Sequence, residues 1–330
     1  MQTNQLYPWL NSYWQQIQSL KSQSRLPHAL MLRGDKGLGI DSLAMEIGKS
    51  MLCKNPTVEG FACGNCSDCK LIAASTHPDL HNITIAEDKK LIVVDQIRSL
   101  VSVCIERPHQ GGYRVAIITP CNAMNAAAAN ALLKTLEEPG DDTLIILVAN
   151  TTNTLPATVR SRCQLMAIYS PAEEVALNYL LEHSTENKDN SLLALRLSNH
   201  APLQALTLFS SKQLETRKNL LANMESAVKG LLDPTKLVAS INKFDFAMSI
   251  DWMYSLALDA QKLSHSIAIS QLINFDQEHL LEKLSHCNTQ KLNNWIDKLT
   301  EARRLLATTS NINPQLIVED LMFRWIAIFK

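Results

Sequence analysis

The chain has 330 residues with 31 Lys and Arg against 32 Asp and Glu, a formal charge of −1 that provides no global field for holding a polyanion. Any nucleic-acid contact has to come from a local patch. Hydrophobic residues make up 46% of the sequence, and 10 Gly, 12 Pro and 5% aromatics in a Leu- and Ala-rich background exclude all-β, collagen-like and disordered classes and favour helices.

Between about Ala29 and Ile168, short apolar runs alternate with helical patterns, the signature of βαβ units around a parallel sheet. Strands are expected at Ala29–Leu32, Leu80–Ile85, Arg114–Ile118, Thr143–Ala149 and Gln164–Ile168. Helices are expected at Asp41–Leu52 and Asp95–Glu106, each opened by an Asp able to accept from free N–H groups, and at the Ala-rich stretch Asn122–Leu136. After Ser170-Pro171 the strand-like runs stop and the remainder reads as all-α, so a boundary is expected near residue 170 and the fold class is α/β plus all-α. The spacing of Leu292, Trp295, Ile296, Leu299, Ala302 and Leu306 puts them on one helix face. Asn313-Pro314 starts the last helix, with Ile317, Leu321, Trp325 and Ile328 as its buried stripe. Met1–Gln5 lacks the charged start of a secretory signal, and no apolar run approaches the ~20 residues that span a bilayer. A soluble intracellular protein with reduced cysteines is therefore expected.

Gly34-Asp35-Lys36-Gly37-Leu38-Gly39-Ile40-Asp41 has the strand-to-helix context and the Gly34-x4-Gly39 spacing of a phosphate loop. Its two chemical positions are wrong: Ile40 replaces the lysine that reaches phosphate, and Asp41 replaces the hydroxyl residue that holds Mg²⁺. A working ATPase also carries a carboxylate after a second apolar strand, and Val115–Ile118 runs into Thr119-Pro120 instead. The alternatives are an ATPase fold without its chemistry, with weak or no nucleotide binding at Gly34, Gly37, Gly39, Ile40 and Asp41, or a glycine turn with no ligand at all.

Cys53, Cys63, Cys66 and Cys69 form C-x9-C-x2-C-x2-C between the first sheet helix and the next strand. Four thiolates suit a closed, structural tetrahedral Zn²⁺ site; unliganded thiols or a redox C-x-x-C pair are the alternatives. His77 and His81 lie near the cluster but are not needed as ligands, and Cys104, Cys121, Cys163 and Cys287 are expected as buried small side chains. Arg160-Ser161-Arg162-Cys163 precedes the fifth strand. A basic pair in a loop is commonly solvated surface, but beside a disabled phosphate loop an arginine can serve a neighbouring subunit's phosphoryl group.

Tyr7-Pro8-Trp9-Leu10, His28-Ala29-Leu30, the cysteine knuckle, Thr76-His77-Pro78-Asp79, Ala129-Asn130-Ala131-Leu132-Leu133-Lys134-Thr135-Leu136-Glu137-Glu138-Pro139 and Ser161-Arg162-Cys163 together resemble the delta prime family of bacterial DNA polymerase III subunits, of the proteobacterial type. The resemblance implies a clamp-loader subunit, part of the AAA+ assembly that places the sliding clamp on primed DNA during replication. It implies an AAA+ α/β domain over residues 1–168 with a zinc-binding insertion at 53–69, a helical lid domain over 169–208, and a helical collar domain over 209–330, with the lid-to-collar boundary near 207–212. It implies no intrinsic ATPase or polymerase activity, with Arg162 as an arginine finger in trans to tau/gamma in a five-membered ring that also contains delta. Leu203 stands where an active relative carries a nucleotide-sensing arginine. The clamp and primed DNA are met through the complex, in a cytoplasmic, nucleoid-associated replisome with no membrane contact. A weak approach of DNA phosphate to the helix starts at Asp95 and Asn122 is also expected. The rival readings are the tau/gamma motor itself and a zinc-containing nucleic-acid-binding module.

Overall fold

A computed structural model describes residues 6–87, 89–150, 155–240, 246–308 and 313–330, so the reading of Met1–Gln5 lies outside the described residues. The chain forms two compact units, one of residues 1–176 with 201–204, the other of residues 177–200 with 205–330.

In the first unit, α1 (Asn11–Ser22) precedes β1 (Ala29–Arg33), followed by α2 (Ile40–Leu52), α3 (Ser67–Ala73), β2 (Leu80–Ile83), α4 (Val94–Cys104), β3 (Arg114–Ile118), α5 (Ala126–Glu137), β4 (Thr143–Ala149), the short α6 (Ala157–Arg160) and β5 (Gln164–Ala167). The strands make one parallel sheet in the order β2-β3-β4-β1-β5. β3 and β4 are buried along their whole length, as continuous apolar runs in a doubly covered parallel sheet should be. Met31, Ile118, Ile145 and Leu147 face Ile97, Leu100, Leu132 and Leu136 of α4 and α5 in one core. On the other face α2 approaches β3 at Gly48, where an added Cβ would lie 3.3 Å from Val115 and 3.4 Å from Ile117. β1 lies between β4 and β5, so its carboxyl end opens on the switch point where open α/β sheets bind ligands.

Several helix starts differ from expectation. The cap of α2 is Gly39 and that of α4 is Val93, leaving Asp41 and Asp95 inside the first turn. α5 begins four residues later than expected, at Ala126, because Cys121–Ala123 is a 3₁₀ turn and the cap is Asn125, whose side chain accepts from the Ala128 N–H at 2.8 Å. Asn122 instead accepts from the Asn150 N–H at 3.3 Å, beyond the end of β4.

In the second unit the helices are α7 (Glu173–His183), α8 (Lys188–Leu197), α9 (Pro202–Ser210), α10 (Gln213–Val228), α11 (Pro234–Ser240), α12 (Phe246–Ser264), α13 (Glu278–Ser285), α14 (Thr289–Thr308) and α15 (Pro314–Ile328), of which α7 and α9 both begin in the first unit. Leu292, Trp295, Leu299 and Ala302 are buried along α14 as their spacing predicts. The stripe of α15 is Val318, Leu321, Met322, Trp325 and Ile328, while Ile317 is only partly buried. The Trp295 and Trp325 rings meet at 4.9 Å, and their indole N–H groups donate to the carbonyls of Leu321 and Met224. Arg217, almost wholly buried, donates to Asp276 at 2.8 Å and Asn274 at 2.7 Å, which offsets part of the cost of burying its charge.

Candidate functional site

The loop Gly34–Gly39 leaves β1 at the switch point and enters α2 through left-handed backbone at Gly37 and Gly39 (φ 91° and 77°), a conformation that favours glycine. Residues from elsewhere in the first unit pack against this loop. The Tyr7 ring lies against Gly39, where a Cβ would collide with it, and stacks on Trp9 at 5.2 Å. The Trp9 indole donates to the Leu38 carbonyl at 2.8 Å. A Cβ on Gly37 would meet Gln204 at 2.6 Å, and the Leu203 N–H donates to the Gly37 carbonyl at 3.1 Å. Ile40, at the lysine position, is buried and folds back toward Gly34.

The two positions that would share Mg²⁺ bond each other: the Thr119 hydroxyl donates to Asp41 Oδ1 at 2.6 Å. The carboxylate therefore stands in the first turn of α2 and the hydroxyl in the turn just past the end of β3, with no cationic side chain at position 40 to receive a phosphate.

The four cysteines converge, with their sulfurs all within 4.8 Å of one another. Cys53 follows the last residue of α2, and Cys66 caps α3 by accepting from the Cys69 N–H. The Sγ separations are 3.9 Å for Cys53–Cys66 and for Cys63–Cys69. A tetrahedron with Zn–S bonds of ~2.3 Å has edges of ~3.8 Å, so the spacing fits zinc and is far too long for a disulfide. Backbone N–H groups of Cys63, Asn65, Cys66 and Cys69 donate to cysteine sulfurs at 3.2–3.5 Å, as thiolates require. Burial pushes the Cys66 thiol up, but the N–H groups of Cys69 and Lys54 and the adjacent thiols outweigh it and bring it down to about 6. The N–H groups of Asn65 and Cys66 lower Cys63, whereas burial raises Cys53 and Cys69. Ionising all four calls for a cation among them, and the donor set is compatible with a closed structural zinc site.

His77 is not a ligand of this cluster. Its Nδ1 accepts from the Asp79 N–H at 3.0 Å, and its Nε2 lies 3.4 Å from the buried carboxylate of Asp68, which also pairs with Lys54 at 3.1 Å. This bracket fixes the knuckle to the start of β2. A second buried pair stands behind β2, where Arg114 meets Asp79 at 3.1 Å with both side chains fully buried. Asp79 further accepts from the N–H groups of His109 and Gln110 at 2.9 Å each. Burial pushes the Asp79 carboxyl up, and these donors with Arg114 outweigh it and hold it below the ordinary carboxylate range.

Arg162 lies between α6 and β5, in a turn anchored by fully buried Val159. Its guanidinium Nε donates to Glu137 Oε1 at 2.6 Å, Nη2 donates to the same oxygen, and Nη1 donates to the Thr158 carbonyl at 2.8 Å. The sequence pattern contained Glu137 and Tyr7 without assigning either a role. Their partners are distant in the chain, and no local spacing signals them.

A parallel sheet with a glycine-rich loop between β1 and α2, a four-cysteine knuckle after α2 and a helical second unit define an α/β protein of phosphate-loop type with an all-α unit appended. Residues 9–172 match the family described as "DNA polymerase III, delta subunit", and residues 211–327 match "DNA polymerase III, delta subunit, C terminal". The chain is 32% identical to DNA polymerase III subunit delta' of Escherichia coli (strain K12) over 320 residues, covering 96% of this chain and 94% of that one. It is 30% identical to the subunit of the same name from Pseudomonas aeruginosa over 328 residues, covering 98% of each. The chain belongs to the DNA polymerase III subunit delta' family. Among solved structures, a gamma subunit-related protein of Thermotoga maritima aligns with a TM-score of 0.48 at 16% identity, over 96% of this chain and 100% of that one.

Proposed function

We propose that this chain is the non-hydrolysing delta' member of the clamp loader that places the sliding clamp on primed DNA, and that Arg162 acts in trans at the ATP site of an adjacent tau/gamma subunit. The observation that carries the reading is a phosphate loop without its lysine and packed by its own chain, with Tyr7 on Gly39, Leu203 and Gln204 against Gly37, and Asp41 bonded to Thr119. A subunit with that loop contributes to ATP turnover only by acting on another subunit's nucleotide. Arg162, 31% exposed on a turn whose backbone bonds to Val159, is the side chain suited to it. In this reading residues 1–168 are the AAA+ domain, 169–208 a lid and 209–330 a collar that joins tau/gamma and delta in a five-membered ring. The cysteines hold a structural zinc, and nucleotide binds weakly or not at all. None of the described helices is long and apolar enough to cross a membrane, in keeping with work in the cytoplasmic replisome.

The Mechanism is electrostatic. A guanidinium placed against a transferring phosphoryl group stabilises charge that develops in the transition state, a contribution of about 10³–10⁵ in rate at the site served. The test is single-turnover ATP hydrolysis by the reconstituted complex carrying Arg162→Ala. Assembly is expected to be intact, with turnover at the site served falling by about 10³-fold or more. Unchanged turnover removes the finger role, and tight Mg-ATP binding by the chain alone favours the motor reading.

A further inference from the structure

Glu137 is the last residue of α5, a helix held by buried Thr135 and Leu136 and tied to β1's approach by the 2.9 Å bond between His28 Nε2 and the Leu136 carbonyl. Its carboxylate oxygen receives two N–H groups of Arg162, and the Thr158 carbonyl receives a third. A guanidinium carries five N–H donors in one plane, so these three bonds fix its plane and leave two donors. The side chains are 48% and 31% exposed, and an ion pair in such a setting contributes little stability. What it does contribute is orientation, because an arginine side chain otherwise has large rotamer freedom to lose.

We propose that Glu137 is a positioning residue for Arg162, gripping the guanidinium by its Nε edge so that the remaining N–H groups face an anionic phosphoryl oxygen of a neighbouring subunit. The proposal rests on the reading of Arg162 as a finger in trans. Glu137 touches no reactant and acts only through Arg162. The gripping carboxylate is shared with no other described cation, and the backbone carbonyl of Thr158 completes the grip from the finger's own turn. A carboxylate that merely neutralised the arginine would act instead as a latch, and its removal would speed turnover.

The test is ATP turnover by the reconstituted complex carrying Glu137→Ala, Glu137→Gln, Arg162→Ala or the double substitution Glu137→Ala with Arg162→Ala. Glu137→Ala is expected to lower kcat by up to about 30-fold, the rotamer freedom of an untethered arginine, with KM for ATP unchanged. Glu137→Gln keeps an oxygen that can accept both N–H groups and is expected to restore most of the rate. In the Arg162→Ala background Glu137→Ala should have no further effect. If Arg162→Ala slows turnover while Glu137→Ala leaves it unchanged or raises it, positioning by Glu137 is overturned and the finger stands. If Arg162→Ala itself has no effect, both fall. Position 137 is a half-exposed helix end, and size-exclusion chromatography of each complex checks assembly.

Discussion

Replacing Cys66 separates two jobs that one sulfur has in the proposed zinc site, metal ligation and the capping of α3. Its Sγ accepts from the Cys69 N–H at 3.4 Å as the helix cap and stands 3.9 Å from Cys53 Sγ in the ligand set. Serine is a good cap and a poor zinc ligand, so Cys66→Ser removes ligation alone, whereas Cys66→Ala removes both. Structural zinc sites bind with about 10–16 kcal/mol in all, so one ligand of four corresponds to roughly 2.5–4 kcal/mol, or about 10²- to 10³-fold in affinity. The alanine variant should lose about 1 kcal/mol more from the missing cap. The apolar support beneath the knuckle is thin, with Cys53, Ala62 and Cys69 buried and the Trp14–Phe61 stack at 4.4 Å beside it. Loss of metal should therefore free the amides of residues 54–66 to exchange while β3 and β4 stay protected. The assay is zinc competition with a chromophoric chelator on the full chain, paired with hydrogen exchange. Stoichiometric zinc held with unchanged affinity by Cys66→Ser would refute the tetrathiolate site.

Two further outcomes follow from the first unit. Asp79 has a folded pKa below its unfolded value, so its contribution is complete above the unfolded carboxyl's ~3.9 and is lost as pH falls through the lower folded value. Asp79→Asn should destabilise the chain by about 3–5 kcal/mol at neutral pH by stranding Arg114, and should flatten the acid limb of stability below about pH 4; urea unfolding at a series of pH values checks both. Gly39→Ala should cost ~1–2 kcal/mol for left-handed backbone plus ~1–3 kcal/mol for overlap with the Tyr7 ring. In a Tyr7→Ala background only the backbone part should remain, and an equal cost in both backgrounds would remove Tyr7 from the loop.

Much of the sheet was readable in the sequence because buried parallel strands are continuous apolar runs, and β3 and β4 occupy the expected residues. β2, Leu80-His81-Asn82-Ile83, is an edge strand with polar positions and ends two residues early, since an edge has pairing on one side only to extend it. The start of α5 was misplaced because Asn122 and Asn125 are equally good caps in isolation, and only the end of β4 decides between them. The shifted stripe of α15 has a similar origin: Met322 and Val318 compete with Ile317 for burial, and the choice belongs to the packing around Trp295. The convergence of the four cysteines was legible because they fall within one short segment whose turns bring them together. The packing against the phosphate loop was not, because Tyr7, Leu203 and Gln204 reach Gly37 and Gly39 only through the fold.

Equilibrium binding and hydrolysis of Mg-ATP by the purified chain alone, with zinc bound, bears most directly on the idea that this subunit lends chemistry without performing it. No saturable nucleotide site and no phosphate release are expected from the isolated chain. Steady release of phosphate, abolished by a substitution in its own Gly34–Asp41 loop, would contradict the account.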